Sequence, residues 1–220
     1  MKTNQKNKWE ELYKEGGRRG KYPNEDVIRF IQKYFPDREA RKNIKILDWG
    51  CGTGRHVFYL AKEGFSAYGA EVSVSAVKIT NKWLAEEKLK AQVDKINGLV
   101  TPYPDHYFDA IIECAVLQHN RRGQIKKIIS EMERILKPGG RIFSLCKTKR
   151  DSLYKGGARM EKDTYYIKNF VETQTIIHFF DKKELKSQWR QFGDIKIEYT
   201  ERTINNMARK VSHFIVSVRK

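Results

Sequence analysis

The chain has 220 residues, of which 40% are hydrophobic and 12% aromatic, so it is long enough for one domain with a buried core and too apolar for a disordered chain. Its 44 Lys and Arg outnumber 27 Asp and Glu; the resulting net charge of +17 indicates an anionic partner, either a nucleic acid or a small molecule. There is no apolar run of about 18 residues and no signal-peptide core, which predicts a cytoplasmic protein without a membrane partner. Cys51, Cys114 and Cys146 have neither metal-ligand nor disulfide spacing and are expected to be reduced.

Through the middle of the chain, short apolar runs alternate with stretches of helical periodicity. The pattern predicts strands at 44–49, 65–71, 93–96, 108–114 and 141–146, and helices at 55–62, 73–89 and 123–136. The sequence Lys137-Pro138-Gly139-Gly140 is expected to end the last of these helices. Strands separated by helices of this length form parallel βαβ units, so the predicted fold class is α/β with a doubly wound sheet.

Both ends of the chain depart from this alternation. At the front, Asn24 can cap a helix. At the back, Asp181 and Glu184 form a capping pair for a helix that runs through residue 192. Two strands, at 195–200 and 211–218, then follow with no helix between them, which predicts an antiparallel pair.

Three glycines follow the first predicted strand, in the sequence ILDWGCGTGRH at 46–56. Glycines between a strand and a helix allow a ligand, typically a nucleotide or an anion, to approach the backbone closely. Gly50 and Gly52 fit the first two positions of the dinucleotide fingerprint, but Arg55 stands where its third glycine is needed, which excludes a nicotinamide dehydrogenase. No Gly-Lys-Ser/Thr follows, so the stretch is not a Walker phosphate loop either.

Four motifs follow one another along the chain: LDWGCGTGRH, AYGAEVS, PYPDHYFDAII and LKPGGRIF. Over residues 44–146 they resemble the class I S-adenosylmethionine-dependent methyltransferases. The resemblance implies a Rossmann-like, seven-stranded, mostly parallel sheet with an antiparallel last strand and helices on both faces. It implies S-adenosylmethionine as cofactor, S-adenosylhomocysteine as product, and no metal.

This resemblance also implies how the chain is divided. Residues 1–220 form a single domain with a helical cover at 1–36 and a cofactor-binding core at 44–146. A substrate-side cover follows at 147–180, because this stretch is long for a simple connection. A helix and the antiparallel strand pair complete the domain at 181–220.

The resemblance assigns roles to residues at the predicted strand ends. Gly50 and Gly52 would let the backbone approach the methionine part of the cofactor, and Asp48 would orient its amino group, unless it only caps the next helix. Glu71 would accept bonds from both ribose hydroxyls, unless it is a surface residue. Asn97 would accept a bond from the adenine amino group. The other expected cofactor-binding residues are Cys51, Gly54, Val72, Gly98 and Leu117.

The acceptor is narrowed by exclusion, because the chain lacks the motifs of base-amine, cytosine C5, ribose 2′-O and metal-dependent catechol methyltransferases. The remaining prediction is methyl transfer to an O or N atom of a small anionic metabolite. An RNA methyltransferase acting on tRNA or rRNA is the alternative, supported by the net charge, and a non-catalytic cofactor- and RNA-binding protein is a third possibility.

The predicted cover 147–180 supplies the other candidate residues. It is rich in cations and tyrosines, and Lys147, Arg150 and Arg159 are expected to bind the anionic acceptor or to stack RNA, unless they are solvated. Trp9 and Tyr13 can cover the cofactor or pack a helix, and packing is the favoured interpretation. The candidate general bases are His119, Tyr154, Tyr165 and His178.

Overall fold

The computed structural model describes residues 5–17, 20–170 and 173–220. The helices are α1 (Gln5–Lys14), α2 (Glu25–Tyr34), α3 (Arg55–Lys62), α4 (Val74–Glu86), α5 (Arg122–Ile135) and α6 (Lys182–Gln188), with short 3₁₀ helices at Arg41–Asn43 and Leu117–His119. The strands are β1 (Lys45–Trp49), β2 (Ser66–Glu71), β3 (Ala91–Lys95), β4 (Phe108–Cys114), β5 (Leu136–Lys147), β6 (Ala158–Glu161), β7 (Thr164–Phe170), β8 (Thr173–His178), β9 (Gly193–Ile204) and β10 (Arg209–Arg219).

Seven strands form the main sheet, in the order β3-β2-β1-β4-β5-β10-β9. The pairs from β3 to β5 are parallel, whereas β10 runs antiparallel to both β5 and β9. The predicted α/β class, with a Rossmann-like sheet and an antiparallel last strand, is therefore confirmed. The chain reverses its direction of winding between β1 and β4, and ligands of such sheets bind at the carboxyl ends of the strands beside that point.

Helices cover both faces of the sheet because successive strand residues point to opposite sides. The helices α2, α3 and α4 pack on one face, and α5 and α6 pack on the other. Helix α2 belongs to the segment that is expected to form an N-terminal cover. Its Val27, Phe30 and Ile31 are buried against the sheet, so α2 is a core helix.

The fifth strand is longer than predicted. Leu136 already pairs with Phe108, and the pairing shifts register before Arg141 meets Ala110. Residues 137–140 therefore belong to β5 and are not a separate stop between helix and strand. Gly139 has a φ of +78°, and its N–H donates to the carbonyl of Lys220, which ties this irregular start to the C-terminus.

The predicted cover contains a second sheet, of three antiparallel strands in the order β6-β7-β8. Its own small core is formed by Tyr165, Ile167, Ile177 and Phe179. A bridge between Thr148 and Phe180 lies at the point where the segment leaves and rejoins the main fold. The segment is therefore a packed unit and not an open loop.

Helix α1 spans the distance between the two sheets. At one side, the Glu10 carboxylate accepts bonds from the Ser73 and Ser75 hydroxyls, each at 2.6 Å, at the start of α4. At the other side, Lys8 Nζ donates to the Tyr166 hydroxyl of β7 at 2.8 Å. In the parts of the chain that the structure describes, no helix has the length and apolar character needed to cross a membrane.

Candidate functional site

A cavity of about 510 Å³ opens at the carboxyl ends of β1, β2 and β4. Helix α1 lies over it, because Trp9 and Tyr13 line the cavity from that helix. The favoured interpretation, in which these two aromatic residues only pack α1, is therefore incomplete. The strands, and the loops and helices that follow them, contribute the other lining residues, which include Asp48, Gly50, Cys51, Gly52, Thr53, Arg55, His56, Glu71, Val72, Asn97, Gly98, Cys114, Ala115, Val116, His119, Asn120 and Gln124.

The glycine loop between β1 and α3 has no room for side chains. Gly50 has a φ of +72°, and a Cβ built on it would lie 2.4 Å from Val116 Cγ2. Gly54 has a φ of +85°, and its Cβ would lie 2.2 Å from Thr80 Cγ2, so this glycine allows α3 to approach α4. Gly50 and Gly52 line the cavity, whereas Gly54 does not and serves helix packing instead.

Glu71 lies at the end of β2 and supports the same loop. One carboxylate oxygen accepts a bond from Gly52 N–H at 2.9 Å, and the other accepts from the N–H groups of Val72 and Ser73 at 2.7 and 3.0 Å. Burial raises the pKa of the Glu71 carboxyl above its ordinary value, while these three N–H groups oppose that shift. Because three acceptor positions are already used, Glu71 is a loop-holding residue with little capacity left for two ribose hydroxyls.

Asp48 lies at the end of β1 and is 1% exposed. Its Oδ2 has no hydrogen-bond partner among the described residues. His56 Nδ1 is 3.4 Å from that oxygen, but the geometry does not make a hydrogen bond. His56 Nε2 accepts a bond from Asn24 N–H at 3.2 Å, so the ring proton is on Nδ1, facing Asp48. A buried carboxylate oxygen without a partner, beside a glycine loop, fits the ammonium group of an amino acid.

Four more of the predicted cofactor residues line the cavity, but the side chain of one of them is already hydrogen-bonded within its own turn. Cys51, Val72 and Gly98 line the cavity as expected. Asn97 also lines it, but its side-chain oxygen accepts bonds from Leu99 and Val100 N–H at 2.9 and 3.1 Å, so it closes its own turn. Its two lone pairs are thereby used, which argues against the predicted bond from an adenine amino group.

The loop after β4 depends on Glu113, which the sequence analysis did not single out. Leu117, predicted to bind cofactor, does not line the cavity; its side chain is buried in the core and its N–H donates to Glu113 at 2.9 Å. Val116 N–H and the Ser144 hydroxyl donate to the same carboxylate. Complete burial raises the pKa of Glu113 to about 7. These bonds hold Ala115 at a φ of +64°, a backbone conformation that is strained for alanine.

Of the four candidate bases, His119 alone lines the cavity. Its Nδ1 lies 3.2 Å from the carbonyl oxygen of Ile176, which can only accept, so Nδ1 carries the proton. Nε2 then carries the lone pair, which accepts a weak bond from the Gln118 side-chain N–H at 3.4 Å. The ring stands edge-on to Trp9, with 5.0 Å between ring centroids.

Tyr165 and His178 lie in the three-stranded sheet, and Tyr154 packs against the core of that sheet from the turn before β6. None of the three lines the cavity. The Tyr154 hydroxyl donates to Asp163 at 2.9 Å, and burial with this carboxylate raises its pKa to about 12. Tyr165 is buried in the small core of that sheet. His178 is fully buried, with Nδ1 2.7 Å from the Thr164 hydroxyl. Their contacts give them structural roles.

The cations expected to bind the acceptor lie outside the cavity lining. Lys147 is 3% exposed and forms an ion pair with Asp151. Arg150 forms an ion pair with Glu201 of β9, and Arg159 is exposed on β6. None of the three lines the cavity, so their expected role in binding the acceptor is not supported. In the described ranges, no group of three or more His, Cys, Asp or Glu is arranged to hold a metal ion.

Arg55, Asn120 and Gln124 line the cavity and were not predicted as site residues. Arg55 was considered only because it replaces a glycine of the dinucleotide fingerprint. The signal that could have identified it is its position, one residue after the glycine loop and at the first position of α3. Asn120 and Gln124 lie where the loop after β4 enters α5.

Comparisons with known proteins agree with this geometry. A family model described as a methyltransferase domain matches residues 46–140. Ajmaline N-methyltransferase of Rauvolfia serpentina is 32% identical over 120 residues, covering 53% of this chain and 40% of that protein. A tRNA N(3)-cytidine methyltransferase of Xenopus tropicalis is 25% identical over 181 residues, covering 77% of this chain and 52% of that protein. The chain thus spans about half the length of these curated relatives.

The fold also has relatives among solved structures. A SAM-dependent methyltransferase from Methanosarcina mazei superposes with a TM-score of 0.72 at 21% identity, covering 90% of this chain and 98% of that chain. This likeness concerns the fold, whereas the domain match and the relatives concern the sequence that forms the glycine loop and the central strands. Together they show that residues 46–140 match a methyltransferase domain and that the chain shares its fold with a solved SAM-dependent methyltransferase.

Proposed function

We propose that the protein transfers a methyl group from S-adenosylmethionine to an O or N atom of a small, anionic metabolite. The observation that carries this proposal is the cavity itself. It joins the glycine loop and the unpartnered oxygen of Asp48 at one side to His119 at the other, beneath α1. Its volume of about 510 Å³ is within the range of small-molecule sites, roughly 300–1,000 Å³.

The residues around the glycine loop are suited to hold the cofactor. Asp48 Oδ2 can accept a bond from an ammonium group without losing an existing partner. Gly50 and Gly52 leave their backbone open to the cavity, and Glu71 keeps the loop in that shape. When bound, S-adenosylmethionine supplies a methyl group on a positively charged sulfur, which leaves as the neutral thioether.

His119 is our candidate for the residue that takes a proton from the acceptor. Its protonated Nδ1 is fixed by the Ile176 carbonyl, so Nε2 is the nitrogen that can accept a proton without a change of tautomer, in exchange for its weak bond from the Gln118 side chain. Displacement at a sulfonium methyl depends mainly on alignment, so we expect a modest contribution from this base. We predict that His119→Gln lowers kcat about 10²- to 10³-fold while the Kd for S-adenosylhomocysteine changes less than about threefold.

The test of the function follows the label from methyl-labelled S-adenosylmethionine into a cell lysate that is separated by size. Label in the small-molecule fraction is the expected result, and mass spectrometry then identifies the product. Asp48→Asn, which removes the charge facing the ammonium group, should abolish transfer by the same assay. The absence of transferred label from the small-molecule fraction would contradict the proposal.

An RNA methyltransferase is the second candidate function. The net charge of +17 favours it, and one relative is by name a tRNA methyltransferase. A single nucleotide could enter the cavity only after it had left its helix or loop. Nuclease-sensitive label in the large fraction, together with RNA binding that weakens steeply with salt, would favour this candidate over the first.

A further inference from the structure

We propose that Arg55 binds the anionic group of the methyl acceptor, such as a carboxylate or a phosphate. This inference rests on the proposed function and assigns a recognition residue to the same cavity. It differs from the expectation drawn from the sequence, which attributed anion binding to Lys147, Arg150 and Arg159.

Arg55 is a half-buried cation without an acidic partner among the described residues. It lines the cavity, and its Nη2 lies 3.8 Å from Cys114 Sγ at the end of β4, a weak contact that satisfies little of the guanidinium. None of the ion pairs between described residues includes it. Five N–H donors in a planar fork are suited to two oxygens of one anion.

Arg55 lies at the N-terminal end of α3, where its positive charge is unfavourable for the helix. It is the first residue of α3, whose N-terminus already carries partial positive charge, and the first turn of that helix contains no acidic residue. A cation at this end destabilises a helix slightly, and an anion bound beside it relieves that cost. Helix α3 therefore gains stability when an anion enters this side of the cavity.

Neighbouring acids do not supply that anion. Asp48 and Glu71 line the same cavity, but neither forms an ion pair with Arg55. Glu71 instead accepts three backbone N–H groups of the glycine loop and its surroundings. The guanidinium faces the end of β4, the side on which His119 also lies, and we therefore assign the anion to the acceptor and not to the cofactor.

The first experiment uses purified protein, methyl-labelled S-adenosylmethionine and a cell extract passed through a 3 kDa filter. The labelled product is applied to an anion exchanger at pH 7, and we expect it to be retained. At low extract concentration, Arg55→Gln should lower the initial rate of label transfer about 10- to 100-fold, with Arg55→Lys intermediate. The matched control is Arg190→Gln, an exposed arginine near the end of α6 and outside the cavity, which should transfer label at the wild-type rate.

The second experiment separates the acceptor from the cofactor, whose methionine part also carries a carboxylate. Calorimetry compares S-adenosylhomocysteine with 5′-methylthioadenosine, which lacks the amino-acid group. If Arg55 serves the acceptor, Arg55→Gln changes the Kd of each ligand less than about threefold. A loss of affinity for S-adenosylhomocysteine of tenfold or more, with methylthioadenosine unaffected, would assign Arg55 to the cofactor and overturn the inference.

Two further results would also overturn it: a labelled product that the anion exchanger does not retain, or wild-type transfer by Arg55→Gln at low extract concentration. Both leave the proposed function intact, because label still reaches a small molecule. By contrast, a wild-type protein that binds S-adenosylhomocysteine but labels nothing in the extract refutes the proposed function and the inference together. Thermal unfolding of each variant confirms that a lost activity is not a lost fold.

Discussion

Glu113 shows how one buried carboxylate can shape a binding loop. Its oxygens accept hydrogen bonds from the Ser144 hydroxyl and from the N–H groups of Val116 and Leu117. One side chain thus connects β5 to the loop after β4. The ionisable groups that face it are Asp48 of β1, Cys114 of β4 and Cys146 of β5. The charge of Asp48 adds to burial in raising the pKa of Glu113.

We predict that Glu113 makes the protein less stable above neutral pH. Its pKa is about 7 in the folded protein against an ordinary 4.5, so its contribution to stability is complete below pH 4.5 and is lost as pH rises through 7. Burial lowers the pKa of His213 from 6.5 to about 4. His213 therefore makes the folded protein more stable as pH rises from 4 to 6.5, which opposes the effect of Glu113 in that range. The loss of stability that Glu113 causes can therefore be measured between about pH 6.5 and 8, where the free energy of unfolding falls on the order of 1 kcal/mol.

Thermal unfolding measured across that pH range tests this prediction. The wild-type Tm should fall from pH 6.5 to 8, and Glu113→Gln, which keeps the shape of the side chain but cannot ionise, should remove most of that fall. If the Tm of Glu113→Gln fell with pH as steeply as that of the wild type, another titrating group would be responsible for the fall.

Glu71 supports the cofactor side of the cavity in the same manner. We predict that Glu71→Ala weakens binding of S-adenosylhomocysteine by roughly 1.5–3 kcal/mol, because the N–H groups of Gly52, Val72 and Ser73 lose a charged acceptor. Calorimetry measures this change directly. Glu71→Gln, which keeps one carbonyl oxygen, should lose less; equal affinity of the wild type and Glu71→Ala would mean that the loop keeps its shape without Glu71.

At the scale of elements, α1 is the helix whose position depends most on a few side chains. Among the residues described in it, Leu12 is the buried apolar residue, and much of its attachment to α4 is the Glu10 carboxylate with Ser73 and Ser75. These hydroxyls lower the pKa of Glu10 to about 2, so it is ionised throughout the neutral range. A helix of 10 residues does not hold its structure alone in water, so α1 needs this attachment.

We predict that Glu10→Ala increases amide hydrogen exchange in α1 about tenfold, since bonds to a charged acceptor at the start of α4 are lost. The matched control is Glu11→Ala, which removes an exposed carboxylate from the same helix. Exchange in α3 should stay the same in both variants. Equal exchange in the two variants would show that the aromatic residues alone hold α1 in place.

The sequence predicts elements well where one periodicity dominates, as in α3 and β4, whose observed bounds match the prediction. The three-stranded sheet escaped prediction because Tyr165 and Ile167, which form part of its core, lie in a segment rich in cations and polar residues, which favoured a substrate-side cover instead of strands. Tyr154 and His178, expected from the same segment as candidate bases, do not line the cavity. The role of Glu71 could not be foreseen, because Gly52, whose N–H donates to it, lies in the loop after a different strand, β1.

At the scale of the whole molecule, the excess of positive charge is not neutralised by the ion pairs. Lys149, for example, forms ion pairs with Asp163 and Asp181. Cations nevertheless outnumber anions, and the chain keeps a net charge of +17. Charges of one sign repel one another more strongly in the compact state than in the expanded one. The same excess raises the rate at which an anionic partner would meet the protein.

We predict that added salt stabilises the protein. Raising NaCl from about 10 to 150 mM shortens the screening length from roughly 30 to 8 Å, which weakens the repulsion among distant charges more than the short ion pairs. The Tm should rise by a few degrees, and scanning fluorimetry measures it. A fall in Tm would show that ion pairs outweigh the net charge.

The helix over the cavity also has a consequence for the order of events in a catalytic cycle. The Tyr13 hydroxyl lies over Gly52 on the side of the glycine loop, and Trp9 contacts His119 on the opposite side, so one helix borders both ligands. A displacement of α1 would therefore open both sides of the cavity at once and couple the entry and departure of two ligands. We expect compulsory-order steady-state kinetics, in which S-adenosylhomocysteine competes with S-adenosylmethionine and inhibits noncompetitively against the acceptor.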